Sequence, residues 1–242
     1  MTARRRVAIL QSNYIPWKGY FDLIRAVDLF IILDEVQFTK NDWRNRNRIM
    51  TPAGTRWLSI PIATAEKFGQ SIEETRVARL SGNKSWAVAH WTRLAQCYQA
   101  APCFAAFANP VRDLLLGLRE EEFLSRINVT LLRGLCDLIG IRTPIVMSRE
   151  FASSGRKAER VLSLCQAAGA THYLSGPAAR AYLDPAMFAE AGIAVAFADY
   201  TGYPEYPQLH GPFEHGVSIL DLLFHVGADA LAYMKPLGDW AR

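Results

Sequence analysis

Residues 7–34, VAILQSNYIPWKGYFDLIRAVDLFIILD, carry the pattern from which the fold class is predicted. Residues 7–10 and 29–33 are each continuously apolar, as is typical of strands buried in a parallel sheet. Between them, residues 20–27 carry apolar side chains at helical spacing. A strand, a helix and a second strand in this order predict a βαβ unit with a right-handed crossover.

The same alternation continues along the chain and predicts an α/β fold. We expect a three-layer sandwich with a mostly parallel, Rossmann-like sheet. A single domain would span residues 1–242, with residues 84–140 as a helical insertion or lid. Outside the opening unit, the pattern predicts strands at 57–62, 143–147, 172–174 and 193–197. It predicts helices at 86–99, 104–118, 121–139, 157–168 and 218–226, and a further helix that begins at about residue 178. Residues 66–75 are predicted to form an exposed loop.

The composition indicates a globular protein, with 50% hydrophobic and 21% charged residues in 242. The net charge of +4 is modest and does not favour nucleic acid as a partner. No apolar run approaches the roughly 20 residues of a membrane span, and the apolar run at 7–10 is too short for a signal peptide. We therefore expect a cytoplasmic protein. The four scattered cysteines are more typical of buried thiols than of a disulfide or a zinc site.

Polar side chains follow the first two predicted strands, where ligands bind in open α/β sheets. The loop after the first strand offers Lys18 as a catalytic residue, and the second strand ends in Asp34, a second catalytic candidate. This loop is dense in large, directional hydrogen-bonding groups, whereas ordinary turns use small ones. The alternative is that these are ordinary loop residues and that Asp34 is a cap. The substrate-binding candidates of this region are Gln11, Asn13, Tyr14 and Gln37.

Three arginines alternate with asparagines in the run 44–48, RNRNR. On a strand, the period of two would place Arg44, Arg46 and Arg48 on one face, where their guanidinium forks would suit phosphate or carboxylate groups. The alternative is a solvated, basic edge strand. The neighbouring Trp43 is predicted to be a core residue, with a stacking face for a ligand as the alternative.

A loop near the C-terminus contains His210 and Gln208, which we assign to catalysis and to substrate binding. A neutral histidine in such a loop can act as an acid or a base, although a structural histidine that bonds the backbone fits the sequence equally well. His90 fits a packing role on a helix. The segment 153–157, SSGRK, would either bind an anion at a helix start or supply an N-cap from Ser153 or Ser154. No compact metal-binding spacing is present in the sequence.

These segments together resemble the WbqC-like protein family. The resemblance is carried by residues 11–21, 34–38, 44–48, 205–211 and 218–224, so it spans nearly the whole chain. It implies a link to O-antigen and other surface-polysaccharide or natural-product biosynthesis. A weaker resemblance is to nucleotidyltransferases with the HIGH signature, but Lys18 and Tyr20 stand where the signature histidines would fall.

Together these features predict a biosynthetic transferase that acts on a donor activated by a phosphate or carboxylate group. Its substrate would be a small molecule or a carrier-bound group. Two alternatives remain open: a non-catalytic binding or scaffold protein of a biosynthetic complex, and RNA binding through the arginine and asparagine run. The sequence names no cofactor, and it does not indicate the oligomeric state.

Overall fold

The computed structural model of the chain describes residues 4–63, 69–82 and 85–235. Its fold is mixed α/β, with five strands in a parallel sheet and two in an antiparallel hairpin. The strands are β1 (Arg6–Leu10), β2 (Leu29–Ile32), β3 (Arg46–Thr51), β4 (Gly54–Ser59), β5 (Ile145–Met147), β6 (His172–Ser175) and β7 (Ala194–Phe197).

Most helices lie between the strands of the parallel sheet. Three of them in succession separate β4 from β5. The helices are α1 (Lys18–Arg25), α2 (Trp86–Tyr98), α3 (Phe104–Gly117), α4 (Leu124–Ile139), α5 (Ala158–Ala167), α6 (Pro185–Glu190) and α7 (Ile219–Val226).

The parallel sheet has the order β5-β2-β1-β6-β7, so the chain winds outward from β1 in both directions. Parallel pairing of Val7 with Leu29 and of Ala8 with Leu174 confirms the predicted βαβ unit and the Rossmann-like sheet. The order reverses between β1 and β6. In such sheets the carboxyl ends of the strands are the usual place for ligands, and the loop after β1 lies at this edge.

Alternating side chains of the central strands pack into two separate apolar cores, because successive residues of a strand point to opposite faces of the sheet. Ala8 and Phe30 pack with α1–α4 and α7 on one face. Val7 and Ile31 pack with α5 and α6 on the other. The helices therefore cover both faces of the sheet, which gives the predicted three layers.

The hairpin of β3 and β4 lies outside the parallel sheet and pairs Arg48 with Trp57. Two backbone hydrogen bonds attach it to other segments. The Tyr14 amide donates to the Trp43 carbonyl at 3.0 Å, and the Ser218 amide donates to the Arg48 carbonyl at 2.9 Å. The hairpin is thereby fixed both to the loop after β1 and to the start of α7.

Several predicted boundaries are wrong, for local reasons. The strand predicted at 57–62 is β4, which ends at Ser59, because Pro61 cannot donate to a ladder. The helix predicted from about 178 is a 3-10 turn, and α6 begins only after Asp184, whose side chain caps it. The helix predicted at 20–27 begins at Lys18. The helix predicted from 121 begins at Leu124.

The loop predicted at 66–75 is exposed only in part. Residues 66–68 lie outside the described residues, and Ile72 and Thr75 are fully buried. Their burial had no signal in the sequence, because the segment lacks periodicity.

Along the described residues, no helix is long and apolar enough to cross a membrane. The four cysteines are free thiols, and the prediction that they are buried holds for three of them. Cys97, Cys136 and Cys165 are buried and Cys103 is half-buried.

The end of α4 provides a test of the backbone geometry. Gly140 has φ 81°, and a Cβ at this position would meet no other atom within 4 Å. We expect Gly140→Ala to lower the free energy of unfolding by about 1 kcal/mol, because an L-residue resists the left-handed region. Gly117 ends α3 without a positive φ and also has open space, so Gly117→Ala should raise stability by about 0.5 kcal/mol. Urea unfolding measures both, and shifts of the same sign would contradict this geometry.

Candidate functional site

The carboxylate of Asp34 is fully buried and binds the loop after β1. Its Oδ1 accepts from the Ser12 amide at 2.8 Å, and its Oδ2 accepts from the Ser12 hydroxyl at 2.7 Å. On α4, the Ser125 hydroxyl donates to the same Oδ2 at 2.5 Å. Asp34 therefore connects the end of β2 with this loop and with α4. It is not available to a ligand.

Asn128 extends this network to the turn before β3. Its Nδ2 donates to the Ser12 hydroxyl at 3.1 Å and to the Arg44 carbonyl at 2.9 Å. The Arg44 guanidinium donates to the side chains of Asn13 and of Gln11, the latter at 3.1 Å. The polar residues after β1 are therefore held by specific partners rather than free in a loop.

A cleft of about 320 Å³ opens beside this loop. We call it the Trp17 cleft. Three segments form its walls: the loop after β1, the turn before β3 together with β3 itself, and the loop before α7. Its lining residues include Asn13, Trp17, Trp43, Asn47, Arg48 and His215.

Two indole rings provide the apolar part of the lining. Trp17 packs edge-on against Tyr200, with ring centroids 5.0 Å apart, and lies 5.6 Å from Tyr203. Trp43 lies 5.2 Å from Trp57 and is 39% exposed. The prediction that Trp43 is a core residue is therefore wrong, because its ring lies against the hairpin surface and the cleft.

Arg48 provides the positive charge of the cleft. Its Nε donates to the Gly216 carbonyl at 3.1 Å, and its nearest carboxylate is Glu214 at 3.5 Å. The neighbouring Asn47 holds β3 against the loop after β1. Its Nδ2 donates to the Tyr14 and Ile15 carbonyls at 3.1 and 2.8 Å.

His215 brings a titratable ring to the same cleft. Its Nδ1 is buried and has no hydrogen-bond partner among the described residues. Burial, together with the nearby charge of Lys18, lowers the pKa of His215. The ring is therefore neutral at neutral pH and able to accept a proton.

Lys18 lies behind the cleft rather than in its lining. Its ammonium donates to the Pro204 carbonyl at 2.9 Å and sits 5.0, 5.2 and 5.8 Å from the rings of Tyr203, Tyr206 and Phe213. Burial lowers the pKa of Lys18 to about 8. These contacts hold the C-terminal loop against the start of α1.

Two other predicted site residues, His210 and Gln208, form their hydrogen bonds outside the cleft. His210 contacts α2, where its Nε2 lies 3.0 Å from the Cys97 carbonyl oxygen. The Gln208 amide donates to the buried Asp221 carboxylate at 2.8 Å. Neither residue lines the Trp17 cleft.

Tyr14 and Gln37 are also outside the cleft lining. Tyr14 is fully buried, and its hydroxyl lies 2.8 Å from His90 Nδ1. Burial raises the pKa of Tyr14 and lowers the pKa of His90 to about 4. The packing role predicted for His90 is confirmed. Gln37 is exposed and forms an isolated bridge with Ser71.

The arginine run does not form one face of three. Because β3 begins at Arg46, Arg44 lies in the preceding turn. Arg46 stacks on the Trp57 ring, 4.2 Å from its centroid, and only Arg48 reaches the cleft.

The segment 153–157 supplies no serine cap. The N-cap of α5 is Lys157, with φ 50°, and neither Ser153 nor Ser154 caps the helix. The Ser154 amide instead donates to the Ser163 hydroxyl at 3.0 Å.

Of the residues that line the cleft, the sequence predicted only Asn13 and Arg48 as site residues, and it assigned no binding role to Trp17 or His215. Trp17 stands inside the quoted loop run but was not assigned a role. His215 lies five residues after His210, and no pattern separates the two. Only their tertiary contacts do so.

Comparison with known proteins gives a family and one curated relative. The model of the WbqC-like protein family matches residues 11–233. "Uncharacterized protein Rv1507c" of Mycobacterium tuberculosis is 48% identical over 233 residues, which cover 96% of this chain and 98% of that protein. No solved structure matches the chain.

The role of Asp34 can be tested through stability. We expect Asp34→Ala to lower the free energy of unfolding by about 3 kcal/mol, because the buried donors of Ser12 and Ser125 would lose their acceptor. The control is Asp113→Ala on α3, where the carboxylate is 67% exposed and should contribute little. Urea denaturation measures both. A loss for Asp34→Ala no larger than that of the control would contradict the network.

Proposed function

This chain belongs to the WbqC-like protein family, and we propose that it is a biosynthetic transferase that binds an activated donor in the Trp17 cleft. The observation that carries the proposal is the meeting of two indoles, a guanidinium and a neutral imidazole in one recess. Such a recess suits a small molecule, since ligand sites combine apolar walls with a few placed polar groups.

Arg48 is the group proposed to hold the charged part of the donor. Its two contacts, with the Gly216 carbonyl and at 3.5 Å with Glu214, leave N–H donors unused. A guanidinium can bind a phosphate or carboxylate group through two parallel hydrogen bonds. The indoles of Trp17 and Trp43 would then contact the apolar or planar part of the same donor.

His215 is the group proposed to move the proton. Its imidazole would accept the proton of an acceptor hydroxyl or amine while that oxygen or nitrogen bonds to the carbonyl carbon or phosphorus of the donor. The leaving group would depart with the electron pair of the broken bond, and Arg48 would offset its negative charge. The proposal thus gives to His215 the role that the sequence suggested for His210.

The setting proposed for this transfer is surface-glycan or related natural-product biosynthesis, which rests on the family resemblance. A second candidate function is a non-catalytic binding or scaffold protein. The exposure of Trp43 and Trp57, 39% and 44%, favours it, because exposed aromatic side chains are enriched in interfaces.

A thermal-shift screen tests donor binding. The panel contains nucleotides, nucleotide sugars, CoA esters, acyl carriers and amino acids. Because a ligand of the native state raises apparent stability, we expect at least one class to raise the melting temperature, and Arg48→Gln to remove that shift. Arg56→Gln, on the exposed part of β4, is the matched control and should keep it. No shift with any class, together with co-purification of a protein partner, would support the scaffold function instead.

Turnover with the donor found in that screen tests the proton transfer. We expect His215→Gln to lower kcat by about 100-fold or more and His210→Gln to leave it nearly unchanged. Since His215 acts as a neutral base and burial lowers its pKa, the wild-type rate should fall only at a pH lower than the usual histidine pKa of about 6.5. Equal losses in the two variants would contradict the assignment.

A further inference from the structure

A second recess, of about 530 Å³, lies at the sheet edge where β5 ends. We call it the α4 groove, because residues 125–133 of α4 form one wall. Met147 and Arg149 approach it from the end of β5, and Glu73 and Glu74 from the segment between β4 and α2. It shares no lining residue with the Trp17 cleft. We propose that the α4 groove is a binding site for a small molecule that carries a phosphate or carboxylate group.

The acidic side chains of the groove already accept hydrogen bonds from the protein. Glu73 pairs with Arg149 at 3.2 Å. The Glu74 carboxylate accepts from the Ser71 amide and hydroxyl at 2.9 and 2.8 Å. Glu121 accepts from the Phe123 amide at 2.9 Å. Every carboxylate in the lining therefore has a donor within the fold.

Two of the three arginines in the lining lack such a partner. Neither Arg126 nor Arg133 forms an ion pair within the ranges that the structure describes. Arg126 stacks on Phe123, 4.7 Å from the ring centroid. Arg133 donates one hydrogen bond, to the Ile145 carbonyl at 2.6 Å. Most of their N–H donors thus remain available to a ligand.

The spacing of these two arginines places them on one side of α4. They are seven residues apart, so they lie almost in line along the helix, separated by about 10 Å of rise. Thr130 lies between them and also lines the groove. The ring contact of Arg126 and the carbonyl contact of Arg133 restrict both side chains, which lowers the entropy lost on binding.

The formal charges of the lining cancel, since three arginines face three glutamates. Long-range attraction therefore contributes little, and selection depends on the guanidinium forks at short range. Phosphate and carboxylate groups each present a pair of acceptor oxygens that such a fork can bind through two parallel hydrogen bonds. A ligand held in this way should saturate the groove at one equivalent per chain, whereas ions attracted only by long-range charge would bind without a fixed stoichiometry.

Isothermal titration of the full chain with inorganic pyrophosphate and, separately, with succinate tests the proposal. We expect at least one of these probes to bind with a stoichiometry of one. Arg126→Gln and Arg133→Gln should each weaken that binding at least tenfold, whereas Arg126→Lys, which keeps the charge but loses the fork, should weaken it less. Arg112→Gln, on the exposed surface of α3, is the matched control and should bind as wild type. Arg126 and Arg133 are exposed, and the Arg112 side chain is 42% exposed. Melting curves confirm that each variant is folded.

The relative affinity of the two probes identifies the chemical class, phosphate or carboxylate. Failure of both to bind would overturn the proposal, and so would equal binding by wild type, Arg126→Gln and Arg133→Gln. The result is independent of the proposed transfer, because Arg48→Gln in the Trp17 cleft should leave this binding unchanged.

Discussion

The buried carboxylate of Asp34 is the point at which the loop after β1, the end of β2 and helix α4 are held together. A carboxylate away from water is costly unless donors surround it, and here Ser12 and Ser125 supply them. Asn128 adds the turn before β3 to the same network. Because these hydrogen bonds join the loop to β2, to α4 and to the turn before β3, they fix the loop without any regular secondary structure.

The Trp17 cleft follows from that constraint. Its walls come from three irregular or edge segments, and each is anchored by backbone contacts: Tyr14 to Trp43, and Arg48 to Ser218. The C-terminal wall is held in addition by Lys18, whose ammonium contacts Pro204 and three aromatic rings. A rigid sheet thus carries side chains on loops, which is the usual arrangement of binding sites in α/β proteins. The proposed roles of Arg48 and His215 depend on this positioning.

The parallel sheet was predictable because its strands are short apolar runs separated by helical patterns. Residues 7–34 already contain the βαβ unit, and the stop at Gly140 marks the end of α4. The convergence of the loop after β1 with Asp34 was also predictable from parallel pairing. The side-chain roles were not. Burial of Lys18 and Tyr14, the departure of Arg44 from the strand and the choice of His215 over His210 all depend on long-range contacts, which local periodicity does not encode. The strand predicted at 57–62 was misplaced for a similar reason, since β4 gains its register from its pairing with β3 and not from its own apolar pattern.

The proposed function requires that the Trp17 cleft is preformed and binds the donor. The most direct measurement is a crystal structure of the protein in complex with a compound that raises its melting temperature. We predict density for the compound between Trp17 and Trp43, with its phosphate or carboxylate group on Arg48 and little movement of the loop after β1. Density at the carboxyl ends of β1 and β6 with an empty Trp17 cleft would contradict the claim.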